Sequence, residues 1–488
     1  MQVYSRKRGG ENEKTIAGPR AFATPKELVK TLSRQDIFPP VNEPANGPRI
    51  LLVNPWIHDF AAYDVWAAPL GLLALGAVLR LHGLSVFYIN CLNRFHPRAP
   101  RTDPTLRNGR GPYLKTRIPN PKGLEDIPRA YSRYGIPPEW FRENLQSVPR
   151  PDLILVTSLM TYWYPGVQET IRELRSVFPS VPIVLGGIYA SLCREHAEAC
   201  SGADRVVTGP SEHRILDIVS EFTGFSPSPA LDPENLDSLP YPALDLQKTI
   251  PYVPLLTSRG CPFSCAYCAS AFLSPRRQRR SPEKILDEII FWNQRHGVSD
   301  FVFYDDALLV DWETHASVLF EKIINHRIKV RFHTPNALHI RNISPAAAKQ
   351  MFRAGVHTLR LGLETTNFHD RKNLDTKVTE AEFKRAVSWL LEAGFQKHQV
   401  GAYLLMGLPY QPISSVEASI RVVKKIGITP ILAHYTPIPH TRIWPQAVAA
   451  SRYDLASDPI FTNNALWPCR PGGFSWRTMT DLKRLISE

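Results

Sequence analysis

The chain has 488 residues, 43% hydrophobic and 21% charged, which suits a globular protein with a large buried core and excludes a disordered one. Its most apolar stretch, VWAAPLGLLALGAVLRL at 65–81, is shorter than the roughly 20 residues a membrane span needs and carries Arg80, so it reads as a buried helix. A net charge of +13 suits a nucleic acid, an acidic surface or an anionic small molecule, while seven cysteines, an odd number, and an N-terminus without a signal-peptide pattern point to the cytoplasm.

Residues 1–47 are polar and rich in Gly, Pro and charge, and read as a flexible leader. Continuous apolar runs then follow at RILLVNP (49–55), SVFYIN (85–90), DLILVTS (152–158), VPIVLGG (181–187) and ADRVVTG (203–209). Helical stretches at 69–82, 165–178, 190–200 and 211–221 lie between or after most of them. Buried strands alternating with helices predict an α/β domain over 48–221, a doubly wound parallel sheet of the Rossmann type with its ligand beyond the carboxyl ends of the strands. Those ends read NPW, TSLMTYWYPG, GGIYAS and TGPSEH. Their small residues let a planar or phosphate-bearing cofactor approach the backbone, and their hydroxyls offer hydrogen bonds.

A basic insertion occupies 94–150. Across 91–150 twelve Arg and Lys face five Asp and Glu, and the phrase RAYSRYGIPPEWF mixes bases with aromatics. It can grip a phosphate-bearing ligand or RNA, or simply be a solvated loop. Residues 222–250 are proline-rich without periodicity and read as a linker.

A second alternation begins at YVPLLTS (252–258) and continues through FVFYDDALL (301–309), VRFHTPNAL (330–338), TLRLGLET (358–365), QVGAYLLMGLP (399–409) and ILAHYTPIP (431–439). Helices are expected at 281–296, 312–326, 344–354, 379–393 and 414–426. The first is well signed, with Ser281 as N-cap, Pro282 in the first position and Glu283 near the positive end of the dipole. Six strand and helix units over 251–450 predict a partial (β/α)6 barrel with its site at the strands' C-terminal mouth. Residues 451–488 are a short C-terminal extension that folds over that mouth.

Directly after the first barrel strand comes CPFSCAYC, with Cys261, Cys265 and Cys268. A structural zinc site wants four ligands, usually as paired knuckles, and a disulfide would leave one thiol over. Three thiolates on one loop can instead bind three irons of a [4Fe–4S] cluster and leave the fourth iron open.

The CxxxCxxC spacing, with an aromatic before the last cysteine, resembles the signature of the radical S-adenosylmethionine (SAM) enzymes. That resemblance implies that the open iron binds SAM and that the reduced cluster splits it to a 5′-deoxyadenosyl radical. It also implies SAM contacts from Tyr267, from Asp305 and Asp306 at the second strand end, from Glu364 on the ribose hydroxyls and from Met406 near adenine. Asn336 and His333, at the end of the third strand, and His434 would face the mouth. Asp305 and Asp306 also read as a helix N-cap, Met406 as plain core and the two histidines as satisfied core residues. YTPIPHT at 435–441 resembles the family phrase YxPxPGT, with His440 where glycine is usual.

The domain order, with the phrases ILLVNP, PLGLLALGAVLRLHG, TSLMTYWYPGV, VLGGIYAS and GADRVVTGPSE, resembles the cobalamin (B12)-binding radical SAM enzymes. The resemblance implies cobalamin held by Thr157, Ser158, Met160, Gly186, Gly187, Tyr189 and Gly209. It departs at TGPSE, where Pro210 and Ser211 replace part of the usual GEGE. The implied chemistry is methyl transfer to an unactivated carbon, with an electron donor such as flavodoxin or ferredoxin and a small-molecule or peptide substrate. The alternatives are a barrel enzyme whose first domain no longer binds cobalamin and which rearranges or cyclises its substrate, and a non-catalytic cobalamin or cluster sensor. An RNA-modifying enzyme resembling the methylthiotransferases is disfavoured because 451–488 is too short for their RNA-binding barrel. Cys91, Cys193 and Cys200 read as small buried hydrophobes, and Cys469 as an outlying thiol that could join the site.

Overall fold

The computed structural model describes residues 47–226, 232, 235–369, 371 and 374–488. The leader therefore lies outside the described residues, as does part of the proline-rich linker. Among the described residues, no helix is long and apolar enough to cross a membrane.

The first five apolar runs form one parallel sheet: β1 (Arg49–Asn54), β2 (Ser85–Asn90), β3 (Leu153–Val156), β4 (Ile183–Leu185) and β5 (Arg205–Val206), in the order β2-β1-β3-β4-β5. Alternate residues of β1 enter different cores. Ile50 and Leu52 pack towards helices Leu70–Leu81 and Ile215–Thr223, whereas Leu51 and Val53 pack towards Pro138–Ser147 and Tyr164–Val177. Covering both faces with helices is the double winding expected from uninterrupted apolar strands. The chain changes direction between β1 and β3, so the crevice lies beyond Asn54 and Val156.

The second alternation forms β6 (Val253–Leu255), β7 (Asp300–Phe303), β8 (Arg331–His333), β9 (Val356–Glu364), β10 (Val400–Met406) and β11 (Thr429–His434), six parallel strands in chain order. The helix after the cysteine loop runs Pro282–His296 with Ser281 Oγ accepting from the Lys284 amide, as its sequence signals predict. The predicted helix at 211–221 instead begins at Ile215, because Ser211–Arg214 form a turn.

The first sheet and the barrel share one apolar core. Ile50, Leu72 and Leu153 belong to the same cluster as Val253, Phe301 and Leu361. The linker contributes to that join, because Leu244 is buried and Ala243 N donates to Leu73 O at 3.0 Å. The insertion is also ordered. Its segments Lys115–Arg117 and Ser132–Tyr134 pair antiparallel with each other, and Ser132–Tyr134 pairs in turn with Ile57–Asp59, a small sheet that the sequence reading missed.

The extension crosses the first domain. Asn463 Nδ2 donates to Asp59 Oδ1 at 2.9 Å, the hydroxyls of Thr161 and Thr462 meet at 3.0 Å, and Arg129 reaches Ala465 O at 3.2 Å. It then returns to the barrel as helix Trp476–Ser487, where Lys424 Nζ donates to Leu485 O.

Gly187, between β4 and the next helix, has φ +99°, and a Cβ there would stand 2.2 Å from Ser158 O. Gly187→Ala is expected to lose at least about 1–3 kcal/mol from the backbone strain alone, read as a lower thermal unfolding midpoint; an unchanged midpoint would contradict this packing.

Candidate active site

A short antiparallel pair, Ser258–Arg259 with Gln278–Arg279, closes the neck of the cysteine loop. Gly260 opens it with φ +79°, and a Cβ there would lie 2.7 Å from Arg276 O, so the neck admits no side chain at this point. The loop is pinned from behind, since Ala266 N donates to Leu374 O at 2.7 Å and Ala266 O accepts from Ile443 N at 3.0 Å.

Cys261 and Cys265 are half-buried and Cys268 is exposed. Burial pushes the Cys261 thiol up and the Cys265 thiol up to about 11, so ligation needs a metal's charge to draw off the protons. Cys268 Sγ lies 3.2 Å from Ser270 Oγ and accepts from Ser270 N at 3.4 Å. Cys261 Sγ lies 3.6 Å from Nε2 of His339. Among the described residues, no three His, Cys, Asp or Glu side chains converge closely enough for a single ion. Three thiols on one loop are the donor set that a [4Fe–4S] cluster with one open iron takes.

Three outlying cysteines adjoin this loop without being part of it: Cys469 packs in one cluster with Ala266 and Tyr267, and Cys193 and Cys200 line the same cavity as Phe272. Cys469 is buried, with its Sγ directed to Ala447 O. Cys91 is buried as expected, whereas Cys193 is half-buried and Cys200 exposed, since both flank the short surface helix Arg194–Cys200.

Glu364 ends β9 with φ +63° beside a register shift, and is buried. Its Oε1 accepts from Lys377 Nζ at 2.7 Å, and the same Nζ donates to Tyr267 OH at 2.9 Å. Burial is the largest single effect and works against the Lys377 charge, yet Glu364, Cys265 and Asp375 together hold the ammonium above its ordinary range. The strand end is thereby wired to the cysteine loop. Lys377, in LDTKVTE, belongs to no motif and was missed by the sequence reading.

Asp306 is the carboxylate beside the cysteines: it hydrogen-bonds Ser270, faces Cys261 and has its pKa raised by burial. Asp305 does not share that position. Its carboxylate accepts from Thr257 N, Thr257 Oγ1 and Ser258 Oγ at 3.1, 2.6 and 2.7 Å, so it braces β6 and the loop neck. Asn336 Nδ2 donates to Tyr304 O at 2.8 Å, holding the strand end that presents Asp306.

Met406, His333 and His434 take the core reading that the sequence also allowed, and Tyr189 engages His196. Met406 packs with the helices outside the sheet, and it is Leu405 that joins Ala266 and Tyr435 on the loop side. His333 is fully buried between Asp300 and Thr358, at 2.9 and 3.0 Å, and stacks on Trp66 of the first domain. His434 accepts from Trp467 Nε1 at 2.9 Å, and burial lowers its pKa to about 4, so it is a neutral packing partner of the extension. Tyr189 is buried, with its hydroxyl 2.8 Å from His196 Nδ1.

At the strand tips of the first domain, Ser158 Oγ donates to Gly186 O at 2.7 Å and Ser158 O accepts from Ile188 N at 2.8 Å, stitching the two tips together. Leu159 and Ile188 stay 41% and 36% exposed, leaving apolar groups beyond the strand tips. Met160 is half-buried nearby in sequence. Thr157, Gly186, Gly187 and Gly209 line an apolar cavity of about 140 Å³ that also reaches Leu72 and Ile215. Gly209 lines a second cavity of about 930 Å³, which extends to Phe272 of the cysteine loop, His440 and Trp444. The crevice fits a large apolar-bodied cofactor with polar edges, as cobalamin is.

Two contacts join the crevice to the cysteine loop. Glu212, the last residue of TGPSE, is buried and pairs with Arg259, next to Gly260. His440, at φ +66°, reaches Leu192 O with Nε2 at 3.1 Å and stacks on Phe272 at 4.1 Å.

Comparison with known proteins matches residues 255–423 to the Radical SAM superfamily and 131–219 to the B12 binding domain. An uncharacterized methyltransferase of Pyrococcus horikoshii is 24% identical over 332 residues, 61% of this chain and 70% of that protein. An anaerobic magnesium-protoporphyrin IX monomethyl ester cyclase of Cereibacter sphaeroides is 24% identical, covering 63% of this chain and 54% of its own length. The structure of the radical SAM methyltransferase TsrM from Kitasatospora setae, solved with cobalamin and a [4Fe–4S] cluster, shares the fold with a TM-score of 0.60 at 16% identity, over 83% of this chain and 79% of that one.

Lys377→Met strands the Glu364 carboxylate in a buried site. The expected loss is about 3–5 kcal/mol in urea unfolding, with much of it recovered in the Glu364→Gln, Lys377→Met double variant; a single variant as stable as the parent would contradict the wiring.

Proposed function

We propose that this chain, which belongs to the radical SAM superfamily and carries a B12 binding domain ahead of its barrel, methylates an unactivated carbon of a small-molecule or peptide substrate. The observation that carries this reading is the shared cavity: Gly209 of the first domain and Phe272 of the cysteine loop line one space of about 930 Å³. The cofactors are a [4Fe–4S] cluster, SAM and cobalamin. When bound, they supply a 5′-deoxyadenosyl radical for hydrogen abstraction and a methyl group for the carbon so exposed.

The protein's own part is placement and exclusion. Cys261, Cys265 and Cys268 would hold three irons. Asp306 would face the SAM ammonium, and a carboxylate there supplies a charge-assisted hydrogen bond. Asn336 would act through the backbone it holds. Glu364 would meet the ribose hydroxyls while Lys377 holds its carboxylate in place. Thr157, Ser158, Met160, Gly186, Gly187 and Gly209 would carry cobalamin, the glycines by letting it approach the backbone. The extension lines the cavity through Pro459 and Thr462 while bonded to the first domain. Trp66, stacked on His333 and gripped by Arg110, fills the barrel from the first domain.

Radical SAM enzymes need a reductant. The run PRRQRR at 275–280 lies on the hairpin behind Gly260, with Arg276 and Arg279 exposed, and an acidic flavodoxin or ferredoxin would dock there. Seven cysteines, an odd number, suit a reducing, cytoplasmic setting better than a disulfide framework.

A second reading, radical cyclisation without methylation, is favoured by the similarity to the cyclase of Cereibacter sphaeroides. Anaerobic reconstitution with iron, sulfide and hydroxocobalamin, followed by reduction and mass analysis of SAM products, separates the two. The account expects about four irons per chain, as one cluster contains, and both 5′-deoxyadenosine and S-adenosylhomocysteine in the presence of substrate. Cys265→Ala should abolish 5′-deoxyadenosine. 5′-Deoxyadenosine without S-adenosylhomocysteine would favour the second reading, and iron uptake without SAM cleavage would overturn both.

A further inference from the structure

His339 belongs to none of the motifs and touches the first cluster cysteine. Its backbone is held tightly: Leu338 N donates to Arg360 O at 2.8 Å, Gly362 N donates to Leu338 O at 3.1 Å, and His339 O accepts from Asn342 N at 3.0 Å. The side chain is 6% exposed and packs against Phe263 of the cysteine loop, ring centroids 4.2 Å apart. Nε2 lies 3.6 Å from Cys261 Sγ, Nδ1 is buried without a well-formed hydrogen bond, and the Asp306 backbone is the ring's other polar neighbour.

This pattern is poor packing chemistry. A leucine or phenylalanine would fill the same space without burying a poorly satisfied nitrogen. What an imidazole adds is one N–H, and with the ring proton on Nε2 that N–H faces sulfur. We propose that His339 donates a hydrogen bond to the Cys261 thiolate of the assembled cluster and thereby sets how readily the cluster accepts its electron. The inference rests on the proposed cluster. Reduction adds one negative charge to the iron–sulfur core, and a fixed N–H dipole aimed at a ligand sulfur stabilises the more negative state, so the donor raises the reduction potential. The electron comes from the low-potential one-electron carrier, which is oxidised. His339 itself makes and breaks no covalent bond and keeps its proton.

The test uses the full chain, reconstituted anaerobically, with iron and sulfide assayed before an EPR-monitored redox titration without SAM. His339→Phe keeps an aromatic ring and removes the donor; His339→Gln keeps an N–H of similar reach. At equal iron content, the Phe variant should show the ratio of reduced to oxidised cluster at a fixed solution potential falling about tenfold, a midpoint about 60 mV more negative at 59 mV per decade. The Gln variant should stay within threefold of the parent. A fully loaded Phe variant that titrates with the parent would overturn the proposal. Should that variant fail to load, the parent carries the test: chain labelled with ¹⁵N-histidine should show a weak nitrogen coupling to the reduced cluster in ENDOR, and its absence would overturn the proposal equally. A parent chain that binds no iron would sink the cluster itself, a result distinct from an unshifted potential.

Discussion

The buried pair of Glu212 and Arg259 fixes the relation on which the other features depend. Glu212 lies in the turn that follows the last strand of the first sheet, and Arg259 stands one residue before the glycine that opens the cysteine loop. Both charges are largely withdrawn from water, so separating them would leave an uncompensated ion in an apolar setting. The shared core from Ile50 to Phe301 sets the coarse orientation of the two domains. The ion pair, and His440 between Leu192 and Phe272, set the fine one.

From that fixed relation the rest of the site follows outward. The Glu364–Lys377–Tyr267 chain ties the fourth barrel strand to the cysteines, and Asp305 ties the first strand to the neck of the same loop. A short-lived radical needs a rigid and dry enclosure, and each of these ties uses a polar group that could otherwise have faced a ligand. This is why several residues expected to touch cofactors serve as braces. Asp305 and Asn336 act on backbone, and Tyr189 anchors His196.

What could be read from sequence was what local chemistry determines. The three cysteines lie within eight residues, the apolar runs declare a parallel sheet buried on both sides, and Ser281 with Pro282 announces a helix start. The contacts that decide the site join residues far apart in the chain, and no local pattern encodes them. Glu212 meets Arg259, Lys377 meets Tyr267 and His339 meets Cys261 only because the strands bring them together. Met406 shows a different limit: in a strand apolar on both faces, alternation does not say which face is the mouth, and Leu405 took the position expected of its neighbour. The small sheet in the basic insertion escaped notice because strands of three residues leave no periodicity to detect.

The central claim is that Cys261, Cys265 and Cys268 hold a cube whose fourth iron is left for SAM. Mössbauer spectroscopy of chain reconstituted with ⁵⁷Fe, recorded before and after adding SAM, tests it most directly. The account predicts that one iron in four changes its isomer shift and quadrupole splitting while the other three keep theirs. Four irons indifferent to SAM would contradict it.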